Sequence, residues 1–163
     1  MFTLEDFRKR VTVITGPAAD HIRDRYIGRF VDTSSEHYAA YIATKTQYRD
    51  GLYYSGYLWD TLKCGRVIPE AEILNRSDLE SVTVYVMWDL HSDEHIFIED
   101  YRKFPREAVL ELTYQDLMAG LSYLPEDIYI FDRDYTWSLI LTHESWEAHN
   151  GYEANPHYCL AAS

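Results

Sequence analysis

The chain is poor in cysteine and has no glycine-rich segment, and these shortages argue against several classes of protein. Cys64 and Cys159 are its only cysteines, too few for a disulfide framework and too far apart for a metal-binding pair, so we expect a cytoplasmic location. All seven glycines are isolated, and neither a phosphate-binding loop nor a GxSxG nucleophile motif occurs. No apolar run approaches the roughly 20 residues of a membrane span, and residues 1–6 are too polar for a signal peptide. We therefore expect neither a membrane anchor nor a cofactor.

Basic residues are scarce in the second half of the chain. Residues 82–163 hold 15 acidic and four basic residues, whereas residues 1–81 hold 12 acidic and 11 basic ones. The net charge of −12 is therefore concentrated in the second half, which also contains 14 Phe, Trp and Tyr residues. This composition does not fit a nucleic-acid-binding protein, which presents a Lys/Arg-rich surface. Nor does it fit a disordered acidic tail, which contains few aromatic residues.

Residues 1–81 are predicted to be mainly helical. Thr3 and Asp6 form a capping-box pattern, and an apolar stripe extends the predicted first helix to Ile14. The β-branched run at 11–15 favours a strand there as the alternative. Gly16-Pro17 is typical of the start of a second helix. Further helical segments are expected from Ser34 or Ser35 to before Asp50, at 56–63 and at 69–74.

Residues 82–150 are predicted to form mainly an antiparallel sheet. Apolar and polar residues alternate in 82–90 and again in 96–101, which predicts a hairpin. A third strand is expected at 108–112, followed by a helix that Thr113 caps. The runs 127–131 and 136–142 predict a second hairpin.

The fold prediction is a single α+β domain spanning residues 1–163. Its helical N-terminal half packs on a C-terminal antiparallel β-sheet that carries one further helix. The apolar pattern fades after Gly151, so residues 151–163 are predicted to form a loosely packed tail.

Three histidines favour an alternative, a small metal-dependent enzyme. His91 and His95 flank a polar break, where they could approach across a hairpin and bind a metal with Asp93 or Glu94. His143 lies next to Glu144 and could act as a general base. An ordinary polar turn explains the same residues at 91–95, and successive strand residues point to opposite faces, so we predict no catalytic residue and no metal.

Three segments resemble those of small bacterial immunity proteins, which neutralise a toxin from the same locus. These are residues 127–132 (DIYIFD), the strand at 137–144 that ends in Thr-His-Glu, and residues 56–60 (GYLWD). The resemblance covers a minor part of the chain. It implies a cytoplasmic inhibitor without catalysis, whose specificity lies in surface residues.

The predicted function is that of an acidic, non-enzymatic protein that binds a basic protein, such as a toxin or nuclease. Carboxylates would attract such a partner, and aromatic side chains would anchor it. Binding of nucleic acid or of a membrane is not expected. The predicted partner-binding residues are Asp93, Glu94, Glu99, Asp100, Asp132, Asp134 and Glu144 as charges, with Tyr135 and Tyr129 as anchors. For Tyr129 a place in the core is the alternative.

Overall fold

The computed structural model of the chain describes residues 1–43, 46–47, 53–54, 56–90, 103–142 and 158–161. Residues 46–47, 53–54 and 158–161 are described by their backbone alone. Helices and antiparallel strands alternate along these ranges, so the predicted α+β class is confirmed. Within them, no helix has the length and apolar character that crossing a membrane requires.

The first half begins with two helices whose starts follow from local sequence. The Thr3 hydroxyl accepts a hydrogen bond from the Asp6 N–H at 3.1 Å, and the Asp6 carboxylate accepts one from the Thr3 N–H at 2.9 Å, which confirms the capping box. Pro17 lies in the first turn of the second helix. Backbone N–H groups in this turn have no acceptor within the helix, so the N–H that proline lacks costs no hydrogen bond there. The elements are α1 (Leu4–Arg10), β1 (Thr12–Ile14), α2 (Gly16–Phe30), a π-helical turn (Tyr38–Ile42), β2 (Thr46–Gln47), β3 (Tyr53–Tyr54), a 3₁₀ segment (Leu58–Thr61), β4 (Arg66–Val67), α3 (Glu70–Leu74) and a 3₁₀ turn (Ser77–Leu79).

The second half supplies the centre of the sheet. Its elements are β5 (Thr83–Met87), β6 (Val109–Thr113), α4 (Tyr114–Gly120), a 3₁₀ turn (Leu121–Tyr123), β7 (Ile128–Asp132), β8 (Trp137–Leu141) and β9 (Tyr158–Ala161). Seven strands form one sheet in the order β1-β6-β5-β7-β8-β9-β4, and each pair of neighbours is antiparallel. The predicted hairpin is confirmed, because Ile128 pairs with Leu141 and Ile130 with Leu139.

The topology defines two ends of the sheet. Because β5 and β8 are both antiparallel to β7, which lies between them, they run in the same direction and their last residues lie at the same end. The first residues of β6, β7 and β9 lie at that end as well. We call it the Asp89 end, after the aspartate two residues beyond the last residue of β5. The opposite end carries the turn at 132–136 between β7 and β8, and we call it the hairpin end.

Both faces of the central strands are buried. In β7, Ile128 and Ile130 point into one apolar cluster, which includes Phe7 of α1 and Leu117 of α4. The alternate residues of β7 point into a second cluster, which includes Ile22, Tyr26 and Phe30 of α2. Since both faces are covered by helices, these strands are apolar on both sides, and much of the aromatic excess of the second half belongs to the core.

Three predictions of local structure are wrong. α1 ends at Arg10 rather than near Ile14, and Thr12–Ile14 pairs with Val109–Glu111 as the edge strand β1, so the alternative was correct there. The third predicted helix is helical at Tyr38–Ile42, as a π-helical turn, but its predicted extension towards Asp50 is wrong, because Thr46–Gln47 forms β2. Residues 158–161 are not part of a loose tail, because β9 pairs with both β8 and β4. The predicted strand at 96–101 lies outside the described residues.

Candidate functional site

A buried carboxylate lies at the end of β5. The Asp89 side chain is 3 % exposed and accepts two hydrogen bonds, from the Leu58 N–H at 2.9 Å and from the Tyr129 hydroxyl at 2.7 Å. The Tyr129 oxygen in turn accepts a 3.1 Å bond from the Trp59 N–H. These three bonds fasten the 3₁₀ segment at 58–61 to the centre of the sheet.

The surroundings of Asp89 make its charged form costly. Burial raises the pKa of its carboxyl to about 7, against the opposing effect of the hydrogen bonds from Leu58 and Tyr129. The negative charges of Asp127 and Asp60 contribute to the same rise in the pKa. Asp127 is itself buried. Met87 pairs with Tyr129 in the antiparallel ladder of β5 and β7, and the same register continued by two residues places Asp89 opposite Asp127. The structure thus holds two buried acids close together.

A buried guanidinium from α2 lies near this pair. Arg23 is 5 % exposed, and its two terminal nitrogens reach the Glu107 carbonyl oxygen only at 3.4 Å. Its Nε has no hydrogen-bond partner in the described part of the chain. Burial lowers the pKa of the guanidinium, and the carboxylates of Asp20, Asp24, Asp89 and Glu107 counteract that effect. The guanidinium therefore feels four acidic side chains, of which Asp89 is only partly charged at neutral pH.

Negative charge therefore gathers at the Asp89 end. The exposed carboxylates of Asp20, Asp24 and Glu107 act on Arg23, and one exposed cation, Arg106, donates to the Leu90 carbonyl at 3.2 Å at the same end. Leu90 and Thr142 also lie at this end of the sheet. The sequence that follows is acidic in both places, with four acids and one base in 91–102, and three acids and no base in 143–157.

At the hairpin end, Asp132 has a structural role. Its carboxylate accepts hydrogen bonds from the Thr136 N–H at 2.7 Å and the Trp137 N–H at 3.1 Å, and it also bonds the Thr136 hydroxyl. Asp134, by contrast, is exposed. Asp132 and Asp134 were both predicted to attract a partner by their charge. Asp132 instead holds the turn together, whereas Asp134 presents its carboxylate to solvent.

Tyr135 closes the same turn in an uncommon conformation. Its φ is 57°, the left-handed region that favours glycine or asparagine, and its N–H donates to the Asp132 carbonyl at 3.1 Å. Its ring is 5 % exposed and packs against Phe131, with the Arg25 guanidinium 4.3 Å from the ring centre. The Arg29 Nε–H donates to the Tyr135 carbonyl at 3.2 Å.

The two predicted aromatic anchors are thus both buried. Tyr129 has no exposed surface and belongs to the core, which was the alternative for it, and Tyr135 is covered by Phe131 and Arg25. A partner cannot reach the Tyr129 ring without opening the core. In addition, Asp132, Asp134 and Tyr135 lie at the hairpin end, opposite the Asp89 end, so the described residues do not form one continuous surface.

The remaining predicted residues lie outside the described part of the chain. They are Asp93, Glu94, Glu99, Asp100 and Glu144, together with the three alternative metal ligands His91, His95 and His143. Within residues 1–43, 56–90 and 103–142, no group of three or more His, Cys, Asp or Glu side chains is arranged to hold a metal ion.

The sequence analysis missed Asp89, Arg23 and the acids of α2. A signal for Asp89 did exist, since it continues the strand alternation on the side of Tyr85 and Met87. In the sequence, this face of β5 carries both polar and apolar residues. It is buried only because α2 packs against it. Arg23 carried no signal, because an arginine on an amphipathic helix ordinarily reaches solvent.

Comparison with known proteins places the chain in no family. No protein-family model, no curated protein and no solved structure matches it.

Proposed function

We propose that this chain is an acidic, non-enzymatic binding protein whose partner is a basic protein, most concretely an immunity-type inhibitor of a basic toxin or nuclease in the cytoplasm. In this proposal the helical N-terminal half packs on the sheet as a supporting layer, and the Asp89 end is the surface that meets the partner.

The observation that carries the proposal is the concentration of negative charge at one end of the sheet. Exposed carboxylates of Asp20, Asp24 and Glu107 lie there, and both acidic stretches of the sequence begin there, after Leu90 and Thr142. An excess of negative charge over the positive charges of Arg23 and Arg106 at one end of a molecule speeds its encounter with a basic partner. It also repels nucleic acid, so a basic protein fits this surface better than DNA or RNA does.

Binding of basic groups is tested first, with immobilised hexa-arginine peptide and hexa-glutamate as the control. We expect association with hexa-arginine at low salt, with an on-rate that falls steeply as salt rises, because exposed charges are screened beyond roughly 10 Å at 0.1 M ionic strength. Equal binding to both peptides, or no binding to hexa-arginine at low salt, would contradict the proposal.

The inhibitor role needs a second experiment, in cells. The chain is co-expressed with the product of the reading frame next to its own, and growth is compared with and without it. We expect the neighbouring product alone to arrest growth and co-expression to restore it. A neighbouring product that is harmless, or whose toxicity is unchanged by the chain, would refute the inhibitor role while leaving the binding result untouched.

A further inference from the structure

The 3₁₀ segment at 58–61 is held on its inner side by a buried acid. The Leu58 N–H donates to the Asp89 carboxylate at 2.9 Å, and the Trp59 N–H donates to the Tyr129 hydroxyl at 3.1 Å. That hydroxyl donates to Asp89 in turn, at 2.7 Å. Because both bonds of the segment lead to Asp89, a charge on this carboxyl changes what holds the segment to the sheet.

A histidine holds the outer side of the same segment. The His37 Nε2 lies 3.5 Å from the Asp60 carboxylate, and this nitrogen is shielded from solvent although the two side chains are 40 % and 30 % exposed. His37 directly precedes the π-helical turn at 38–42, so the contact joins that turn to the 3₁₀ segment. Histidine ordinarily changes its charge between pH 5 and 8, and it forms an ion pair with a carboxylate only when it is protonated.

The backbone at Gly56 leaves the room that this contact needs. A Cβ there would lie 3.2 Å from the Asp60 carboxylate and 3.3 Å from the His37 Nε2, which is closer than most side chains approach their neighbours. Gly56 is buried, and its N–H donates to the Tyr41 carbonyl at 2.6 Å. The His37 ring also packs on the Tyr41 ring, with 4.9 Å between their centres. The imidazole and the carboxylate are therefore held together by close packing as well as by charge.

Several titratable groups face Asp89 from the elements around it. Within the described residues they are the carboxylates of Asp60 and Asp127, the guanidinium of Arg23 and the buried phenols of Tyr26 and Tyr129. Burial raises the pKa of both phenols, so they stay uncharged near neutral pH. Arg23 attracts a charged Asp89, yet the pKa of Asp89 is still raised to about 7, because its burial has the larger effect.

The two sides of the segment respond to pH in the same direction. Acidic pH favours a protonated His37 and a neutral Asp89, so Asp60 is attracted on the outer side and meets no charge on Asp89. Alkaline pH favours a neutral His37 and a negative Asp89, so the attraction is lost and Asp89 repels Asp60. A buried charge on Asp89 is costly while the segment stays in place, and moving the segment away lets water reach the carboxylate.

We propose that the 3₁₀ segment at 58–61 detaches from the sheet as pH rises through neutrality, with His37 as the residue that holds it at acidic pH. This change needs no partner, and so lies beyond the proposed function. Detachment hydrates the Asp89 carboxylate and exposes the Trp59 indole, which is 5 % exposed while the segment is in place.

Amide hydrogen exchange of the full chain at pH 5 and pH 8 tests this proposal. Exchange rates are converted to protection factors, which correct for the faster exchange of every amide at higher pH. The Leu58 and Trp59 amides are compared with that of Ile130 in the centre of β7, with and without a low urea concentration. Urea lowers the protection of an amide that exchanges through global unfolding, but barely affects a local opening that exposes little surface. The test variant is His37→Gln, and the matched control is His21→Gln, which changes an exposed histidine of α2.

In the protein and in His21→Gln, we expect the protection of Leu58 and Trp59 to fall by more than about tenfold from pH 5 to pH 8, and to be insensitive to urea at pH 8. In His37→Gln the fall should be smaller by about two- to fivefold, because a partly exposed ion pair changes an equilibrium by at most about a factor of five. Falls of the same size in the two variants would exclude His37 as the residue that holds the segment. Leu58 and Trp59 amides that respond to urea at pH 8 as Ile130 does would overturn the detachment itself.

Asp60→Asn removes the other charge of the pair, and it replaces His37→Gln if that variant does not fold. Its amide oxygen can still accept the 2.9 Å bond that the Asp60 carboxylate accepts from the Tyr57 N–H. We expect the same smaller fall in protection, because neither an attraction to His37 nor a repulsion from Asp89 then changes with pH. A fall as large as that of His21→Gln would exclude the pair as the contact that responds to pH.

Discussion

The Tyr129 hydroxyl donates a 2.7 Å hydrogen bond to the buried Asp89 carboxylate and accepts a 3.1 Å bond from the Trp59 N–H. One phenol oxygen thereby joins β7, the end of β5 and the 3₁₀ segment at 58–61. Because all three groups are buried, the loss of this oxygen leaves a donor and an acceptor without a partner in a medium that cannot replace them.

Tyr129→Phe should therefore destabilise the protein by about 1–3 kcal/mol. The change preserves the ring and its packing, so the loss reports the hydrogen bonds alone. Urea unfolding at neutral pH measures it. Tyr123→Phe is the matched control. The Tyr123 hydroxyl also donates one hydrogen bond, to the Phe2 carbonyl at 3.0 Å, but this residue is only half-buried. Equal losses of unfolding free energy in the two variants would show that the buried hydrogen bonds of Tyr129 stabilise the protein no more than the single bond of Tyr123 does.

Stability should fall as pH rises through neutrality because of Asp89. Its pKa is raised by burial from 3.8 to about 7 in the folded protein, so the folded state holds a proton that the unfolded state has released. Its stabilising contribution is complete below pH 3.8 and is lost as pH rises through 7. Between pH 5 and 8 we expect a loss of about 2–3 kcal/mol. Unfolding free energies of the protein and of Asp89→Asn are compared across this range, and a pH slope that is identical in both would contradict the prediction.

The left-handed conformation of Tyr135 can be separated from the packing of its ring. Tyr135→Ala and Tyr135→Gly both remove the contacts with Phe131 and Arg25, but only glycine adopts a φ of 57° without steric cost. We expect both variants to be destabilised and the glycine variant to be the more stable of the two by about 1 kcal/mol. Thermal or urea unfolding decides the order. An alanine variant as stable as the glycine variant would mean that the turn relaxes.

Two glycines should respond in opposite ways to an added methyl group. A Cβ at Gly120 would lie 2.2–2.5 Å from three atoms of the Phe7 ring, which is fully buried, so Gly120→Ala must displace that ring. We expect a loss of about 1–3 kcal/mol. At Gly28, inside α2, a Cβ would meet nothing within 4 Å, and Gly28→Ala should stabilise the protein by about 0.5–1 kcal/mol. A shift of the same sign in both variants would contradict the packing around Phe7.

Local signals in the sequence correctly predicted several elements. Thr3 and Thr113 cap α1 and α4 as their spacing to Asp6 and Asp116 predicts, because a capping bond spans three residues and needs no distant partner. The hairpin of β7 and β8 also followed from sequence, since a short turn and two alternating runs set its register. These elements depend on neighbours along the chain.

Elements that depend on distant partners were not predictable in the same way. The strand at Thr12–Ile14 exists because β6, about a hundred residues later in the chain, offers an edge to pair with, and β9 exists because β8 and β4 both pair with it. No pattern within a strand of three or four residues carries that information.

The charge of the candidate site was a property of the sequence, and its placement was decided by the tertiary structure. Composition alone located the acidic excess in residues 82–163. Only the antiparallel order of β5, β7 and β8 puts Leu90 and Thr142 at one end and Asp132 and Tyr135 at the other. Only the packing of α2 against β6 brings Asp20, Arg23 and Asp24 to Glu107. The physical reason is that charge is a sum over residues, whereas burial and proximity depend on which surfaces the folded chain places against each other.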